Sequence, residues 1–295
     1  MQELTTFLEE ARRLVDAALE NHLPAENVEP RTLHRAMRYS VFAGGKRVRP
    51  ALVLAATDLH GGRREDALPA ACAMEMIHTY SLIHDDLPAM DDDDLRRGQP
   101  SCHKAFGEAT AILAGDSLLT HAFLLLGRQS HADARRLLNV IAELGEAAGT
   151  GGMIGGQMAD LEAEGLDDVA LDTVERIHLL KTAALIRASV TMGTMVAGAG
   201  EEELERMRRF GRRIGLLFQI TDDILDRTGT SAELGKTAGK DEAQGKATYP
   251  AAAGMDRAGS RAEQLARRAA EDLAPYGERA QVLRQLTDYL LRRSH

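Results

Sequence analysis

Hydrophobic residues recur every three to four positions along most of the chain, the spacing that places them on one face of a helix. This pattern covers residues 1–22, 48–60, 67–87, 107–127, 132–150, 171–198, 202–227, 259–275 and 279–293. The alternating pattern of a half-buried strand, with β-branched residues and Asn-Gly or Asp-Gly turns, is not found. Prolines fall mainly between the periodic stretches, where they end helices. The pattern therefore predicts an all-α fold.

The periodic stretches follow one another without a linker rich in proline, glycine or serine, and without an internal repeat. We therefore expect residues 1–295 to form a single domain. The longest polar interruption, residues 228–250, carries Lys236, Lys240 and Lys246 among glycines. It is either a solvated loop or a mobile flap whose lysines close on phosphate.

Composition limits the possible partners. Lysine and arginine number 36 against 45 acidic residues, so the net charge is −9, which does not favour nucleic acid or an anionic membrane surface. An anionic substrate would have to be met locally, by metal ions or by a small basic cluster. The 44% hydrophobic content is enough for a substantial core.

Cysteine usage and apolar stretches predict a soluble, cytoplasmic protein. Cys72 and Cys102 form no Cys-x-x-Cys or Cys/His ligand spacing, which favours a reducing compartment. The N-terminal helix is acidic and amphipathic and lacks the apolar core of a signal peptide. The longest apolar stretch, residues 110–127, is interrupted by Asp116 and His121, so no membrane span is expected.

Two acidic clusters each follow a strongly apolar helical stretch. The first runs from Asp85 to Asp94, after MEMIHTYSLIH, and the second from Asp222 to Asp226, after LLFQIT. A single acidic run is usually a solvated face, but two runs beside apolar helices need cations to neutralise them. Hard oxygen ligands in that number suit magnesium shared with phosphate oxygens.

The spacing within each cluster constrains its geometry. Asp222 and Asp226 are four residues apart, about 40° round a helix, so they point the same way. Asp85 and Asp91 are six apart and would diverge by about 120° on an unbroken helix. We expect Pro88 to interrupt the helix and bring Asp91 round to the same cations.

Basic residues accompany the acids in two places. Arg96 and Arg97 follow the first cluster, and GGKRVRP, residues 44–50, precedes a predicted helix. Arginine forks and helix N-termini suit diphosphate oxygens. The alternatives are salt bridges from Arg96 and Arg97 to the neighbouring aspartates, and a solvated turn at residues 46–49.

Taken in order, these segments resemble the trans-type prenyl diphosphate synthases, the family of farnesyl and geranylgeranyl diphosphate synthases. The resemblance rests on GGKRVRP, SLIHDDLPAMDDDDLRRGQPSCH, GGMIGGQMADLEAEG, LLKTAALI, FQITDDILD and LGKTAGKDEAQGKATYP. It implies a bundle of about ten helices around a central apolar cavity, with both aspartate motifs at its mouth. It also implies a homodimer.

The resemblance assigns roles to individual residues. The implied magnesium ligands are Asp85, Asp91, Asp222 and Asp226, with three ions expected when both substrates are bound. The implied ligands of isopentenyl diphosphate are Lys46, Arg49, His78 and Arg97, and those of the allylic diphosphate are Arg96, Lys181, Thr182, Gln219 and Lys236. Asp86 stands beside Asp85 in the first motif. The residues expected to act in catalysis are Asp85, Asp86, Asp91, Asp222 and Lys181.

The implied reaction is the magnesium-dependent condensation of isopentenyl diphosphate with dimethylallyl and geranyl diphosphate to give farnesyl diphosphate. Tyr80 and Ser81 lie about one turn before Asp85 and are expected to limit the length of the product. Tyr80 could instead be an ordinary core aromatic, and a geranylgeranyl synthase is the alternative. His78 could likewise be a satisfied core histidine. Gln157 and Asp160 match a further motif, whose glycines could simply allow close helix packing.

Three rival classes are less consistent with the sequence. A class I terpene cyclase normally has one aspartate motif, and the 4% aromatic content, without tryptophan, ill suits stabilisation of cations by ring faces. A di-iron carboxylate bundle needs Glu-x-x-His pairs that face one another, and these are absent where it would need them, although Glu75 and His78 have that spacing. A non-catalytic helical bundle that binds metal or a partner predicts no release of diphosphate.

Overall fold

The computed structural model describes residues 2–129, 133–166, 168–228 and 246–292. The α-helices run, in order, α1 Gln2–His22, α2 Arg31–Val41, α3 Val48–Leu59, α4 Arg64–Asp85, α5 Cys102–Phe106, α6 Glu108–Gly127, α7 Ala134–Ala148, α8 Met153–Ala163, α9 Leu171–His178, α10 Ala184–Val196, α11 Glu201–Thr228, α12 Tyr249–Ala253, α13 Met255–Leu273 and α14 Gln281–Arg292. A π-helical turn, Leu179–Ala183, joins α9 to α10, and a 3₁₀ segment, Ala274–Ala280, precedes α14.

The predicted all-α bundle is confirmed. Within the described residues, the strands are β1 Leu95–Arg96 and β2 Gln99–Pro100, each two residues long, which pair as an antiparallel hairpin. Each periodic stretch of the sequence corresponds to one or more helices, but the sequence does not predict α2, α8 or the five-residue helices α5 and α12. Glycines interrupt the apolar pattern of α8, and arginines flank the narrow apolar stripe of α2.

The core lies around α3 and α10, which are buried along most of their length. One cluster of buried side chains extends from Leu4 in α1 to Leu290 in α14. The two central helices approach closely at Gly193, where an added Cβ would lie 3.0 Å from the Cβ of Ala56. Around this core, the end of α4, the π turn and the second half of α11 come together.

Among the residues that the structure describes, two stretches are long and apolar enough to cross a membrane by composition alone, Glu108–Gly127 and Leu171–Val196. The second is 67% buried inside the bundle over its most apolar window, and the first is 39% buried. One polar residue of α6 contacts the end of α1: His121 Nε2 lies 2.9 Å from the carbonyl oxygen of His22. Both stretches are therefore accounted for as helices of the bundle.

Candidate active site

A cavity of about 310 Å³ opens where the two acidic clusters meet. Its walls come from the ends of α4 and α9, the residues after α4, α8, the π turn, α11 and residues 246–248. Its lining residues are Leu82, Asp85, Asp91, Asp93, Arg96, Asp160, Ile177, His178, Lys181, Thr182, Gln219, Asp222, Asp223, Lys246, Ala247 and Thr248. Carboxylates distant in sequence therefore share one cavity.

The first acidic cluster turns back over the end of α4. The helix ends at Asp85, and the backbone N–H of Asp91 donates to the carbonyl oxygen of Asp85 at 2.9 Å. Asp92 adopts a left-handed conformation with φ +47°, which is uncommon for a residue other than glycine. This turn places Asp85 and Asp91 on the same cavity, as the interruption expected at Pro88 requires.

Asp86 occupies a different environment from its neighbour. It is buried, and the guanidinium of Arg96 donates to its oxygens from Nε at 3.0 and 3.2 Å, with a further contact from Nη2. Burial raises the pKa of the Asp86 carboxyl, whereas Arg96 lowers it. The hairpin thus carries Arg96 back onto the cluster, and the salt-bridge alternative for this arginine is realised even though it also lines the cavity.

The π turn presents two polar side chains to the cavity. Lys181 Nζ donates to Oδ2 of Asp160 at 2.6 Å, and Thr182 Oγ1 donates to Oε1 of Gln219 at 2.8 Å. A π turn adds one residue to the helical path, and such turns are frequent at functional sites. Gly156 of α8 lies against the backbone of Lys181, so α8 approaches the π turn without an intervening side chain.

The second acidic cluster divides its carboxylates between cavity and core. Asp222 lines the cavity, while Asp226, one turn on, is buried outside the lining formed by the described residues. Asp223 is buried and accepts from the backbone N–H of Tyr249 at 2.7 Å and from Nε2 of Gln219 at 3.0 Å. His178 Nε2 also lies 3.3 Å from Asp223. Asp223 therefore ties α9, α11 and the start of α12 together.

A second group of basic residues gathers between the GGKRVRP loop and α4. Arg49 Nη1 lies 3.3 Å from His78 Nε2, and Arg97 donates to the carbonyl oxygen of Gly44. Arg97 adopts φ +55°, and a Cβ on Gly45 would lie 2.7 Å from its Cζ. The loop and the hairpin thus hold Arg97 beside Arg49 and His78.

The electrostatics of this group favour an anion. The pKa of Arg49 is lowered to about 10, mainly by burial; Glu75 opposes this lowering and Arg97 adds to it. Burial and then Arg49 and Arg97 hold the pKa of His78 well below its ordinary value. The Nε of Arg49 is buried without a hydrogen-bond partner among the described residues. An incoming diphosphate would reduce the repulsion among these basic side chains and would accept a hydrogen bond from Nε of Arg49.

The carboxylates of the cavity fit magnesium. Burial raises the pKa of Asp85 to about 6, against the lowering effect of Lys181, so a divalent cation there would stabilise the ionised form. No three carboxylate, histidine or cysteine side chains of the described residues form a complete metal site by themselves. Such incomplete protein sites are usual for magnesium, which keeps waters and shares phosphate oxygens with its ligands.

Comparison with known proteins now identifies the chain. The model of the polyprenyl synthetase family matches residues 30–286. The chain belongs to the polyprenyl synthetase family. It is 50% identical over 288 residues to the heterodimeric geranylgeranyl pyrophosphate synthase large subunit 1, chloroplastic, of Arabidopsis thaliana, covering 96% of this chain and 77% of that protein. It is 48% identical to the dimethylallyltranstransferase of Fischerella ambigua, covering 99% and 84% of the two chains.

Solved structures agree with this assignment. The FPP/GFPP synthase from Zymomonas mobilis matches with a TM-score of 0.88 at 38% identity, and the match covers 98% of this chain and 99% of that one. The chain is a prenyltransferase with prenyl diphosphate synthase activity. The family membership excludes the terpene cyclase, the di-iron protein and the non-catalytic bundle.

The fold brings seven of the residues singled out in the sequence to the wall of the cavity. Those that line the cavity are Asp85, Asp91, Arg96, Lys181, Thr182, Gln219 and Asp222. Lys46 is exposed, and its Nζ donates to the hydroxyl of Tyr289 at 3.3 Å. Lys236 lies outside the described residues. Tyr80 is buried with its ring edge-on to His84 at 5.8 Å, and the hydroxyl of Ser81 donates to the carbonyl of His78 at 2.8 Å.

Some residues in contact with the implied ligands have no role assigned from the sequence, among them Gln157, Asp160 and Lys246. Gln157 donates to Asp85, Asp160 accepts from Lys181, and Lys246 Nζ lies 3.3 Å from Asp91. The GGQMAD motif was the available signal for Gln157 and Asp160, because a spacing of three places both on one face of α8. Lys246 stood out only as one of three lysines in the polar segment.

Proposed function

We propose that this synthase condenses isopentenyl diphosphate head to tail with dimethylallyl and geranyl diphosphate and stops at farnesyl diphosphate. The observation that carries the proposal is the presence of two sites of opposite charge, each of which suits one diphosphate. One is a cavity walled by Asp85, Asp91 and Asp222. The other is the cationic group around Arg49 and His78. Two diphosphates, one delivered with metal and one without, match this division.

The acidic cavity is the proposed site of the allylic diphosphate. Asp85, Asp91, Asp222 and Asp226 would hold magnesium, with three ions in the full complex, and the ions would supply stabilisation of the charge that develops on the departing diphosphate. The proposed side-chain ligands of that diphosphate are Arg96, Lys181, Thr182, Gln219 and Lys236. Lys181 and Arg96 are held by acids in the structure, so each is oriented before substrate arrives.

The cationic group is the proposed site of isopentenyl diphosphate. Arg49, His78 and Arg97 would bind its diphosphate, and Lys46 would complete the site from the exposed side. We propose that His78 stays neutral, because its pKa lies well below the usual value and its Nε2 faces the Arg49 guanidinium. No side-chain base is needed if the released diphosphate accepts the proton lost on condensation.

The product length is assigned to Tyr80. Tyr80 is 4% exposed and lies five residues before Asp85 on α4, about 7.5 Å further along the helix. We propose that this ring stops a fifteen-carbon chain. A twenty-carbon product is the second candidate, because the Arabidopsis relative at 50% identity is named a geranylgeranyl pyrophosphate synthase.

Sizing of dephosphorylated products tests this assignment. Wild-type protein would be given isopentenyl diphosphate with dimethylallyl, geranyl or farnesyl diphosphate. We expect C15 from the first two starters and no extension of the third. Tyr80→Ala should give longer products, because it removes the ring. Tyr80→Phe is the matched control and should leave product length unchanged, because the hydroxyl has no hydrogen-bond partner among the described residues.

Two outcomes would count against the assignment. C15 as the final product of Tyr80→Ala would show that another residue limits the chain. C20 from wild-type protein would establish the second candidate and place the stop deeper than Tyr80. Loss of all condensation in Asp85→Asn, with folding intact, is expected under either product, because both need the same ionisation step.

We also propose a single domain over residues 1–295, a homodimer and a cytoplasmic location. Large apolar side chains stay exposed along α6 and the next helix, at Ile112, Leu113, Leu124 and Leu138, which supports self-association. Sedimentation of wild-type and Leu113→Glu protein would test the dimer. The Arabidopsis relative is named chloroplastic, so fractionation of the native cells is the test of location.

A further inference from the structure

The central arginine of GGKRVRP points into the protein rather than toward substrate. Arg47 has φ +48° just before α3, and its side chain is 2% exposed. Its Nη1 donates to Oε1 of Glu75 at 2.6 Å, and its Nε donates to Oδ1 of Asp16 at 2.8 Å. Its Nη2 donates to the carbonyl oxygen of Val41 at 2.6 Å. Every nitrogen of this guanidinium is therefore engaged by the protein.

The contact with Glu75 is placed beside the proposed isopentenyl diphosphate subsite. Glu75 and His78 are three residues apart on α4, hence neighbours on its surface. Arg47 and Arg49 are two apart at the start of α3. Arg47 contacts Glu75 while Arg49 contacts His78, so two adjacent links fix where the loop sits along α4.

Glu75 also balances the charge of this region. Its carboxylate raises the pKa values of Arg49 and Arg97, both of which are lowered by burial and by neighbouring arginines. Glu75 is 2% exposed, and a buried carboxylate is costly when it is left unpaired, which favours its contact with Arg47. The acid thus offsets part of the like-charge repulsion among the arginines that would face the diphosphate.

We propose that Arg47 and Glu75 are positioning residues for isopentenyl diphosphate, which hold the loop so that Arg49 and His78 meet the substrate without either positioning residue touching it. This inference rests on the proposed function, which assigns the Arg49 and His78 group to isopentenyl diphosphate. It goes further by separating the three bases of GGKRVRP by role. Lys46 and Arg49 bind, and Arg47 orients.

The proposal predicts different effects of Glu75→Gln on the KM values of the two substrates. Glu75→Gln should raise KM for isopentenyl diphosphate about tenfold while KM for geranyl diphosphate changes less than about twofold. A purely electrostatic role for Glu75 predicts the opposite sign, because removing a negative charge near an anion site would lower that KM. A merely structural role predicts lower thermal stability without a preference for one substrate.

The matched control is Glu143→Gln, which removes another buried carboxylate, one in contact with Arg187 at 3.4 Å and absent from the cavity lining. It should lower the melting temperature without splitting the two KM values. The double variant Arg47→Met/Glu75→Gln should be no worse than the more severe single variant, because the two residues act as one unit. Should Glu75→Gln fail to fold, Asp16→Asn removes the contact of Arg47 with an acid that is 32% exposed, and it should raise the same KM by a smaller factor.

Arg49→Gln separates failure of the inference from failure of the proposed function. If Arg49→Gln raises KM for isopentenyl diphosphate but Glu75→Gln and Asp16→Asn do not, the positioning role is overturned while the subsite stands. If Arg49→Gln leaves that KM unchanged, the subsite itself is wrongly assigned. A lowered KM in Glu75→Gln, or additive effects in the double variant, would also overturn the proposal.

Discussion

Gly156→Ala should reduce catalysis far more than it reduces stability. The glycine is buried on α8 against the π turn, and an added Cβ would lie 2.6 Å from the Cα of Lys181. Ordinary contact begins near 3.4 Å, and the obstructing atoms are backbone, so no side chain can rotate away. The two segments must therefore separate by about 1 Å.

The expected magnitude follows from what α8 carries. Gln157 and Asp160 contact Asp85 and Lys181 from this helix, so a shift of α8 disturbs both sides of the cavity. Misplacement of catalytic groups by about 1 Å can lower the rate about 100-fold. Overpacking costs about 1–3 kcal/mol, and replacing glycine by alanine within a helix offsets up to about 1 kcal/mol.

The assay is kcat/KM for geranyl diphosphate at saturating isopentenyl diphosphate, measured beside the melting temperature. Gly259→Ala is the matched control, because this helical glycine of α13 has no atom within 4 Å of an added Cβ. It should keep full activity and gain slightly in stability. Wild-type kcat/KM in Gly156→Ala would refute the reasoning, since it would show that the close approach of α8 does not orient Lys181.

Three further outcomes are expected. Gly45→Ala should raise KM for isopentenyl diphosphate, because its Cβ would lie 2.7 Å from Cζ of Arg97; an unchanged KM would mean that Arg97 does not need this position. Chelation of divalent ions should abolish condensation and added magnesium should restore it, and turnover that persists in chelator would contradict a metal requirement. Burial lowers the pKa of His178 to about 4, so its neutral form is favoured in the fold and the unfolding free energy should fall as pH drops from about 6.5 toward 4. His178→Asn should lose that pH dependence, and an identical slope in the variant would assign it to other groups.

The sequence was sufficient for the helices whose apolar faces are broad and regular. The periodic stretches correspond to helices of the bundle because burial of a wide stripe dictates both the element and its orientation. The pattern is weak in α8, where Gly155 and Gly156 stand in place of side chains and let backbones meet. The role of these glycines depends on the π turn, which lies more than 20 residues later in the sequence. Local periodicity could therefore not reveal that role.

The different contacts made by neighbouring residues of the same charge could not be predicted from the sequence either. Arg47 and Arg49 are two residues apart in one motif, yet one is enclosed by acids and the other faces a histidine. The difference arises from the left-handed backbone at Arg47 and from Glu75, which is 28 residues away. In the same way, Asp222 and Asp223 are adjacent, and only the fold shows that Asp223 holds the start of α12.

The π turn between α9 and α10 makes this part of the chain intolerant of changes in length. It inserts one residue into an otherwise continuous helical path, and each residue of an α-helix turns the next by about 100°. Deletion of Leu180 would join α9 to α10 as one regular helix. Because α10 is locked in the core, α9 would have to rotate, which would turn His178 away from Asp223. We therefore expect this segment to tolerate exchange of side chains better than an insertion or a deletion.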